Sequence, residues 1–260
     1  MITACGRGSH LLRYGRRAVL EDWLAWAFVG SEAEAITARM RAVFGDSAQL
    51  LATWGSARSR FAEDWLDGSG AEQYVILGAG LDSFAWRQRG NVRVFEVDHP
   101  ATQAWKRDRL EALGIPAPPE LVWVPVDFEV ESIADGLARA GLGPETTFVS
   151  WLGVVPYLSR DAIDATLRRL PPCSLAVSYG TPEDTWPPTV RGISLSFRAI
   201  AVNAGEPPVS RFRPDEFADL LTDCRFTPVE DRGFEDVEAH YGLPALSIAN
   251  ERITLATKAT

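Results

Sequence analysis

The middle of the chain alternates between short apolar runs and longer segments whose apolar residues recur at helical spacing. Continuous apolar runs rich in β-branched residues are typical of strands buried in a parallel sheet, with helices as the crossovers between them. Seven strands are predicted: Tyr74–Leu77, Val92–Asp98, Leu121–Phe128, Thr146–Leu152, Ser174–Tyr179, Phe226–Glu230 and Ser247–Thr257. We therefore predict an α/β fold, a doubly wound and mostly parallel seven-stranded sheet with helices on both faces.

Helical patterns also precede the first predicted strand. Three segments have helical periodicity: residues 16–29, 33–44 and 50–66. The first is apolar nearly all round, which favours core packing over a role as a lid. Residues 1–15 contain several glycines and are predicted to be loosely structured, and Gly55 is predicted to break the third helix. We expect a helical cap over residues 1–70 and an α/β core over 71–260, with a proline-rich, lid-like insertion at about 181–212.

The first predicted strand runs directly into a glycine turn, Gly78-Ala79-Gly80, which is followed by Asp82 and Ser83 as good helix N-cap residues. In doubly wound sheets, ligands bind at such turns, outside the carboxyl ends of the strands. A dinucleotide fingerprint needs a third glycine, where this chain has Ser83, and Asp82 adds negative charge where a helix N-terminus favours phosphate. The turn therefore favours a ligand that has an amine and no pyrophosphate, such as S-adenosylmethionine.

Acidic residues end the next two predicted strands. Asp98 lies about where an α/β nucleotide site places a carboxylate on ribose hydroxyls. Glu96 points to the same side of its strand and competes for that role, and a solvated acid at a strand end fits the pattern equally well. Asp127 and Phe128 end the third predicted strand, where a carboxylate can accept a hydrogen bond from an adenine amine and a ring can contact the purine.

Two arginines precede the sheet and are candidates for a ligand carboxylate. The guanidinium groups of Arg58 and Arg60 have the geometry for bidentate carboxylate binding. The spacing also allows a surface pair between Arg60 and Asp64, four residues apart on the predicted helix. On spacing alone, the surface pair is favoured.

Composition excludes several classes of function. The chain has 260 residues and a net charge of −9, which disfavours phosphate-driven binding of nucleic acid. The three cysteines and three histidines are scattered, without metal-ligand spacing or a disulfide framework. The first residues do not form a signal peptide, and no apolar run is long enough to span a bilayer. We expect a cytoplasmic protein, monomeric or homodimeric, that binds no metal, membrane or nucleic acid and acts on a small molecule.

Several motifs in order along the chain carry a resemblance to a known family. They are Arg58-Ser59-Arg60-Phe61, Val75 to Ser83, Phe95-Glu96-Val97-Asp98-His99-Pro100 with Lys106, Pro125 to Phe128 and Gly153 to Leu158. Together they resemble class I S-adenosylmethionine-dependent methyltransferases, and more narrowly the leucine carboxyl methyltransferase-like family with its bacterial O-methyltransferases. The resemblance covers about residues 57–160 and implies the Rossmann-like methyltransferase fold.

The resemblance also implies roles for individual residues. Arg58 matches the arginine that holds the methionine carboxylate, with Arg60 second, and Asp98 matches the acid that binds ribose. The candidate cofactor-binding residues are Arg58, Arg60, Gly78, Ala79, Gly80, Asp82, Glu96, Asp98, Asp127, Phe128 and Trp151. One departure is Leu152, where many relatives have a glutamate before the glycine that follows strand four.

The implied reaction is an in-line transfer of methyl from S-adenosylmethionine to an oxygen, releasing S-adenosylhomocysteine. A carboxylate acceptor needs no base, whereas a hydroxyl does, and the candidates for that base are Tyr157, His10 and His240. Methylation of a protein C-terminus is a subsidiary form of this interpretation. Two alternatives stay open: a protein of this fold that binds S-adenosylmethionine or a partner without transferring methyl, and an NAD(P)-dependent oxidoreductase.

Overall fold

Four α-helices come before the first strand in the computed structural model, which describes residues 1–45, 48–88, 90–128, 130–203, 205, 207–243 and 250–259. The helices are α1 (Ile2–Tyr14), α2 (Trp23–Val29), α3 (Ala33–Phe44), α4 (Ala48–Ser69), α5 (Phe84–Arg87), α6 (Pro100–Ala112), α7 (Ile133–Arg139), α8 (Arg160–Arg169), α9 (Pro188–Asn203), α10 (Pro214–Asp223) and α11 (Phe234–His240). The strands are β1 (Gln73–Leu77), β2 (Arg93–Asp98), β3 (Leu121–Pro125), β4 (Thr147–Trp151), β5 (Cys173–Gly180), β6 (Thr227–Gly233) and β7 (Glu251–Lys258).

The described strands form one seven-stranded sheet in the order β3-β2-β1-β4-β5-β7-β6. Strands β1 to β5 pair in parallel, and β7 runs antiparallel to both of its neighbours. The predicted fold class is therefore confirmed. From β1 the chain builds the sheet in one direction through β2 and β3, and then returns to β4 on the other side of β1. This reversal opens a crevice at the carboxyl ends of β1 and β4, where ligands of doubly wound sheets bind.

The two faces of the sheet carry separate parts of the hydrophobic core. Along β1, Val75 and Leu77 pack on one face, whereas Tyr74 and Ile76 pack on the other. Alternate residues of a strand point to opposite faces, so a strand covered by helices on both sides is mostly apolar along its length. This double burial explains why short apolar runs located the central strands to within a few residues.

The N-terminal region differs from the prediction. Residues 1–15 were expected to be loose, but residues 2–14 form α1. Its glycines allow close packing, because a Cβ on Gly6 would lie 3.2 Å from Ala52 Cα and a Cβ on Gly8 would lie 2.8 Å from Trp26 Cε3. The predicted break at Gly55 is also wrong, since α4 continues through it with α1 packed alongside.

Two further boundaries differ from the prediction. The helix expected over residues 16–29 begins only at Trp23, because the Asp22 side chain caps it by accepting a hydrogen bond from Ala25 N at 3.0 Å. The final strand was expected from residue 247, but residues 247–249 lie outside the described residues and β7 is recorded from Glu251. Within the described ranges, no helix has the length and apolar character needed to cross a membrane.

Candidate functional site

The glycine turn after β1 lines a cavity of about 500 Å³ in the crevice between β1 and β4. Gly78 and Gly80 have φ values of +68° and +49°, a left-handed conformation that glycine adopts without strain. A Cβ on Gly78 would overlap Val154 Cγ2, whereas a Cβ on Gly80 would meet only Gly78 O at 4.0 Å. Gly78 is thus required by packing, and Gly80 leaves open space beside the cavity, which we call the turn cavity.

A buried ion pair supports the turn. Lys106 Nζ donates to Glu96 Oε2 and to the Asp82 carbonyl, both at 2.6 Å, and both charged side chains are 1% exposed. Burial raises the pKa of Glu96 to about 7, although Lys106 acts in the opposite direction. Glu96, a candidate for the ribose, is therefore turned towards Lys106 and does not line the turn cavity.

A second buried cluster ties the turn to the N-terminal helices. Arg7 Nη2 donates to the Leu81 carbonyl at 2.6 Å, and Arg7 Nε donates to Asp22 at 2.7 Å. Ser83 Oγ, at the position of the absent third glycine, donates to Asp22 at 2.5 Å. Burial acts to raise the pKa of Asp22, but the guanidinium groups of Arg7 and Arg87 and the Ser83 hydrogen bond together lower it. The sequence contains no local signal for this cluster, because its members come from separate elements.

The acids at the ends of β2 and β3 lie near the turn. Asp98 accepts hydrogen bonds from Gly80 N and from His99 N, and burial raises its pKa. Asp127 lies 3.7 Å from His99 Nε2, and Phe128 packs partly buried against the core. These three candidates gather at the carboxyl edge of the sheet, beyond the lining of the turn cavity.

The two candidate arginines have different surroundings. Arg58 is buried, its Nη1 donates to Glu251 Oε1 at 2.5 Å, and its Nε has no hydrogen-bond partner among the described residues. Arg60 instead pairs with Asp64 on the surface of α4, which is the surface pair that the spacing favoured. It does not line the turn cavity. Of these two arginines, only Arg58 therefore lies where its guanidinium can meet a ligand in the crevice.

Trp151, the remaining candidate, lies at the end of β4 in the core. Its side chain is fully buried in the hydrophobic cluster on one face of the sheet, and it does not line the turn cavity. Its indole Nε1 has no hydrogen-bond partner among the described residues. The structure thus separates Trp151 from the glycine turn residues, which line the cavity directly.

A second cavity of about 620 Å³ adjoins the turn cavity, and Thr3, Arg58 and Gly153 line both. We call it the outer cavity. Its apolar walls include the side chains of Tyr14, Met40, Trp54, Tyr157 and Trp186. Two cavities that meet at a buried arginine can hold two reactants end to end.

Glu251 organises the junction between the cavities. Its carboxylate accepts hydrogen bonds from Arg58 Nη1, from Trp54 Nε1 and, at 2.8 Å, from Ser178 Oγ. Ser178 Oγ accepts in turn from Gly153 N at 2.8 Å. The antiparallel register that pairs Gly180 with Glu251 brings this acid to the carboxyl end of β5. Sequence reasoning missed it, because a glutamate at the start of a final strand has no distinguishing pattern.

The three candidate bases are also separated. Tyr157 lines the outer cavity and is 38% exposed. His10 is buried, accepts a hydrogen bond from Val19 N at 3.1 Å, and has its pKa lowered by burial to about 4. His240 is exposed and packs edge-on against Phe61. Neither histidine lines the turn cavity or the outer cavity, and within the described residues no cluster of acids, cysteines and histidines could hold a metal ion.

The fold and the crevice place the protein among the α/β proteins with a methyltransferase fold. Solved structures with this fold include a candidate methyltransferase of Thermobifida fusca, with 16% identity, a TM-score of 0.62, and coverage of 90% of this chain and 92% of that one. Another is the 1,6-didemethyltoxoflavin-N1-methyltransferase of Burkholderia thailandensis, solved with S-adenosylhomocysteine, with 15% identity, a TM-score of 0.50, and coverage of 88% and 89%.

The chain belongs to the leucine carboxyl methyltransferase family, whose sequence profile matches residues 1–171. A Bacillus subtilis protein named as a candidate S-adenosyl-L-methionine-dependent methyltransferase is 36% identical over 178 residues, which cover 64% of this chain. The match spans 58% of that relative's length. A Frankia alni protein with the same description is 31% identical over 66% of this chain and 64% of its own length.

Proposed function

We propose that the protein is an S-adenosylmethionine-dependent methyltransferase that methylates an oxygen, in a carboxylate or a hydroxyl, of a small molecule. The observation that carries this proposal is the meeting of the glycine-lined turn cavity with the outer cavity at Arg58 and Gly153. The family membership and the names of the relatives support the same cofactor and reaction class. Residues 1–70 would then act as a cap, because Thr3 lines both cavities and other residues of α1 line one or the other.

The residues present fit this cofactor. The buried, unpartnered Nε of Arg58 is the donor that a methionine carboxylate requires. The open side of Gly80 admits a ligand against the backbone, and Asp98 would exchange its turn hydrogen bonds for the ribose hydroxyls. Asp127 and Phe128 would meet the adenine. Glu96 has a supporting role in this scheme, because its carboxyl group accepts a hydrogen bond from Lys106.

The chain's part in the reaction is alignment and exclusion of water. The bound cofactor supplies a methyl group already activated on a sulfonium, so positioning can contribute most of the rate. Arg58, fixed by Glu251, would hold the cofactor at the junction with the outer cavity. A carboxylate acceptor would attack without a base, whereas for a hydroxyl Tyr157 is the candidate base that lines the outer cavity.

The test is calorimetric titration with S-adenosylmethionine, S-adenosylhomocysteine, 5′-methylthioadenosine and NADH. We expect saturable binding of the first two and none of NADH. Arg58→Gln should weaken S-adenosylhomocysteine binding at least tenfold, about 1.4 kcal/mol. Arg60→Gln, on the same helix but outside both cavities, is the matched control and should leave the affinity unchanged.

5′-Methylthioadenosine lacks the amino-acid portion, so its affinity should not respond to Arg58→Gln. If Arg58→Gln weakens the binding of 5′-methylthioadenosine as much as that of S-adenosylhomocysteine, Arg58 does not hold the carboxylate. Binding of NADH alone would overturn the proposal in favour of an oxidoreductase. Binding of S-adenosylmethionine without turnover over a broad acceptor panel would favour the alternative of a non-transferring protein, which Leu152 in the turn cavity keeps open.

A further inference from the structure

The outer cavity has a charge opposite to that of the whole chain. Among the described residues that line it, the cations are Arg13, Arg41, Arg58, Arg198 and Arg211, and the only acid is Glu251. The chain as a whole carries a net charge of −9. Charges of one sign that line a concave, low-dielectric site focus its potential and attract ligands of the opposite sign.

One wall of the outer cavity has an unbalanced pair of guanidinium groups. Arg198 on α9 lies 2.5 Å from Glu183, and Arg211 Nη2 lies 3.7 Å from the same carboxylate oxygen. One acid therefore serves two arginines, and a net positive charge remains. Arg211 is held in place because it donates to the Thr181 carbonyl at 3.1 Å and stacks over the Trp186 ring at 4.7 Å. A fixed, half-buried guanidinium on an aromatic ring is preorganised to bind a planar anion.

Two polar groups in the same cavity lack the partners that buried groups normally have. Ser194 Oγ on α9 is in a residue that is 2% exposed, and Gln49 Nε2 on α4 is also buried. Neither atom has a hydrogen-bond partner among the described residues. Since buried polar atoms are almost always satisfied, these two donors indicate a ligand that accepts hydrogen bonds.

We propose that the acceptor is a small anionic molecule whose charged group binds at Arg198 and Arg211. The methyl group is transferred to a different atom of that molecule. This inference rests on the proposed function and adds the chemical class of the acceptor. The volume of about 620 Å³ is in the range of small-molecule sites. Tyr14, Trp54 and Trp186 offer apolar contacts to an aromatic body between the anchored charge and the junction at Gly153.

Binding of matched pairs of probes tests the inference, with S-adenosylhomocysteine saturating. The pairs are 4-hydroxybenzoate with 4-hydroxybenzamide, and indole-3-acetate with indole-3-acetamide, measured by calorimetry at low and high salt. In each pair the carboxylate should bind at least tenfold more tightly than the amide, and the difference should shrink as salt rises. In the double variant that combines Arg198→Gln with Arg211→Gln, the preference for the carboxylate should disappear while the affinity for S-adenosylhomocysteine stays the same.

Arg191→Gln is the matched control, because Arg191 lies on the same helix, is exposed and does not line the outer cavity. It should keep the preference for the carboxylates. Arg198→Gln alone provides the test if the double variant does not fold, and should reduce the preference severalfold. Three results would each overturn the inference. They are equal binding of carboxylate and amide, a preference for the carboxylate that survives in the Arg198 and Arg211 variants, and no binding of the carboxylates by protein that still binds S-adenosylhomocysteine. Failure of S-adenosylhomocysteine itself to bind would count against the proposed function instead.

Discussion

Substitution of Gly80 by alanine separates backbone strain from obstruction of the proposed cofactor site. Gly80 has φ +49°, and an added Cβ would meet no atom closer than Gly78 O at 4.0 Å. An L-residue in this left-handed region costs about 1–2 kcal/mol. Gly80→Ala should therefore lower the free energy of unfolding by about 1–2 kcal/mol without a clash. The methyl group would occupy space beside the turn cavity, so the affinity for S-adenosylhomocysteine should fall at least tenfold.

Two other glycines provide controls. Gly114 has φ +65° in the loop after α6, with nothing within 4 Å of an added Cβ, and it lines neither cavity. Gly114→Ala should show the same loss of stability with unchanged affinity. Gly78→Ala adds a clash with Val154 to the same strain. Overpacking typically costs about 1–3 kcal/mol, so this variant should lose about 2–5 kcal/mol in total.

Urea unfolding gives the stability of each variant, and calorimetric titration with S-adenosylhomocysteine gives the affinity. The reasoning requires that Gly80→Ala and Gly114→Ala match in stability and differ in affinity. If Gly80→Ala binds S-adenosylhomocysteine as tightly as Gly114→Ala does, the glycine turn is not the cofactor site. If Gly80→Ala is destabilised as much as Gly78→Ala, the space beside Gly80 is not open.

Three further predictions concern individual side chains. Asp98→Ala should weaken S-adenosylmethionine binding by about 1–3 kcal/mol, and unchanged affinity in calorimetry would show that the ribose acid is misassigned. Burial raises the pKa of Glu96 from 4.5 to about 7, so between these pH values the folded protein holds a proton that the unfolded chain has lost. This contribution to the free energy of unfolding is complete below pH 4.5 and is lost as pH rises to about 7. The unfolding free energy of wild type minus that of Glu96→Gln should therefore fall as pH rises over this range, and a flat difference would contradict the raised pKa. Tyr157→Phe should lower kcat for a hydroxyl acceptor while leaving S-adenosylhomocysteine affinity unchanged, and an unaltered kcat would exclude Tyr157 as the base.

The central sheet could be predicted from the sequence because its physical signal is local. A strand buried on both faces is apolar at most positions, and the run from Tyr74 to Leu77 followed by a glycine turn shows that pattern directly. The N-terminal helix could not be predicted in this way. Gly6 and Gly8 lower helix propensity, and only the close approach of Ala52 and Trp26 explains why α1 contains them.

The candidate site could be predicted from the sequence only where its residues lie close together in one motif. The turn at Gly78 and Gly80 and the acid Asp98 are close in sequence and close in space. Spacing alone did not separate Arg58 from Arg60, although the family resemblance ranked Arg58 first. The structure distinguishes them because only Arg58 bonds to Glu251, which is 193 residues away along the chain. Contacts at such separation are determined by the order of strands in the sheet, which local pattern does not specify.

Leu152 stands where the family resemblance predicts a glutamate before the glycine. In this chain the backbone of that glycine, Gly153, donates to Ser178 Oγ, and Ser178 donates to Glu251. A carboxylate therefore reaches this part of the site from β7 instead of from β4. Glu251 also bonds to Arg58, so a carboxylate lies at the junction of the two cavities although residue 152 is a leucine. A departure from the motif at residue 152 is thus compatible with a complete site, since the sheet brings together what the sequence separates.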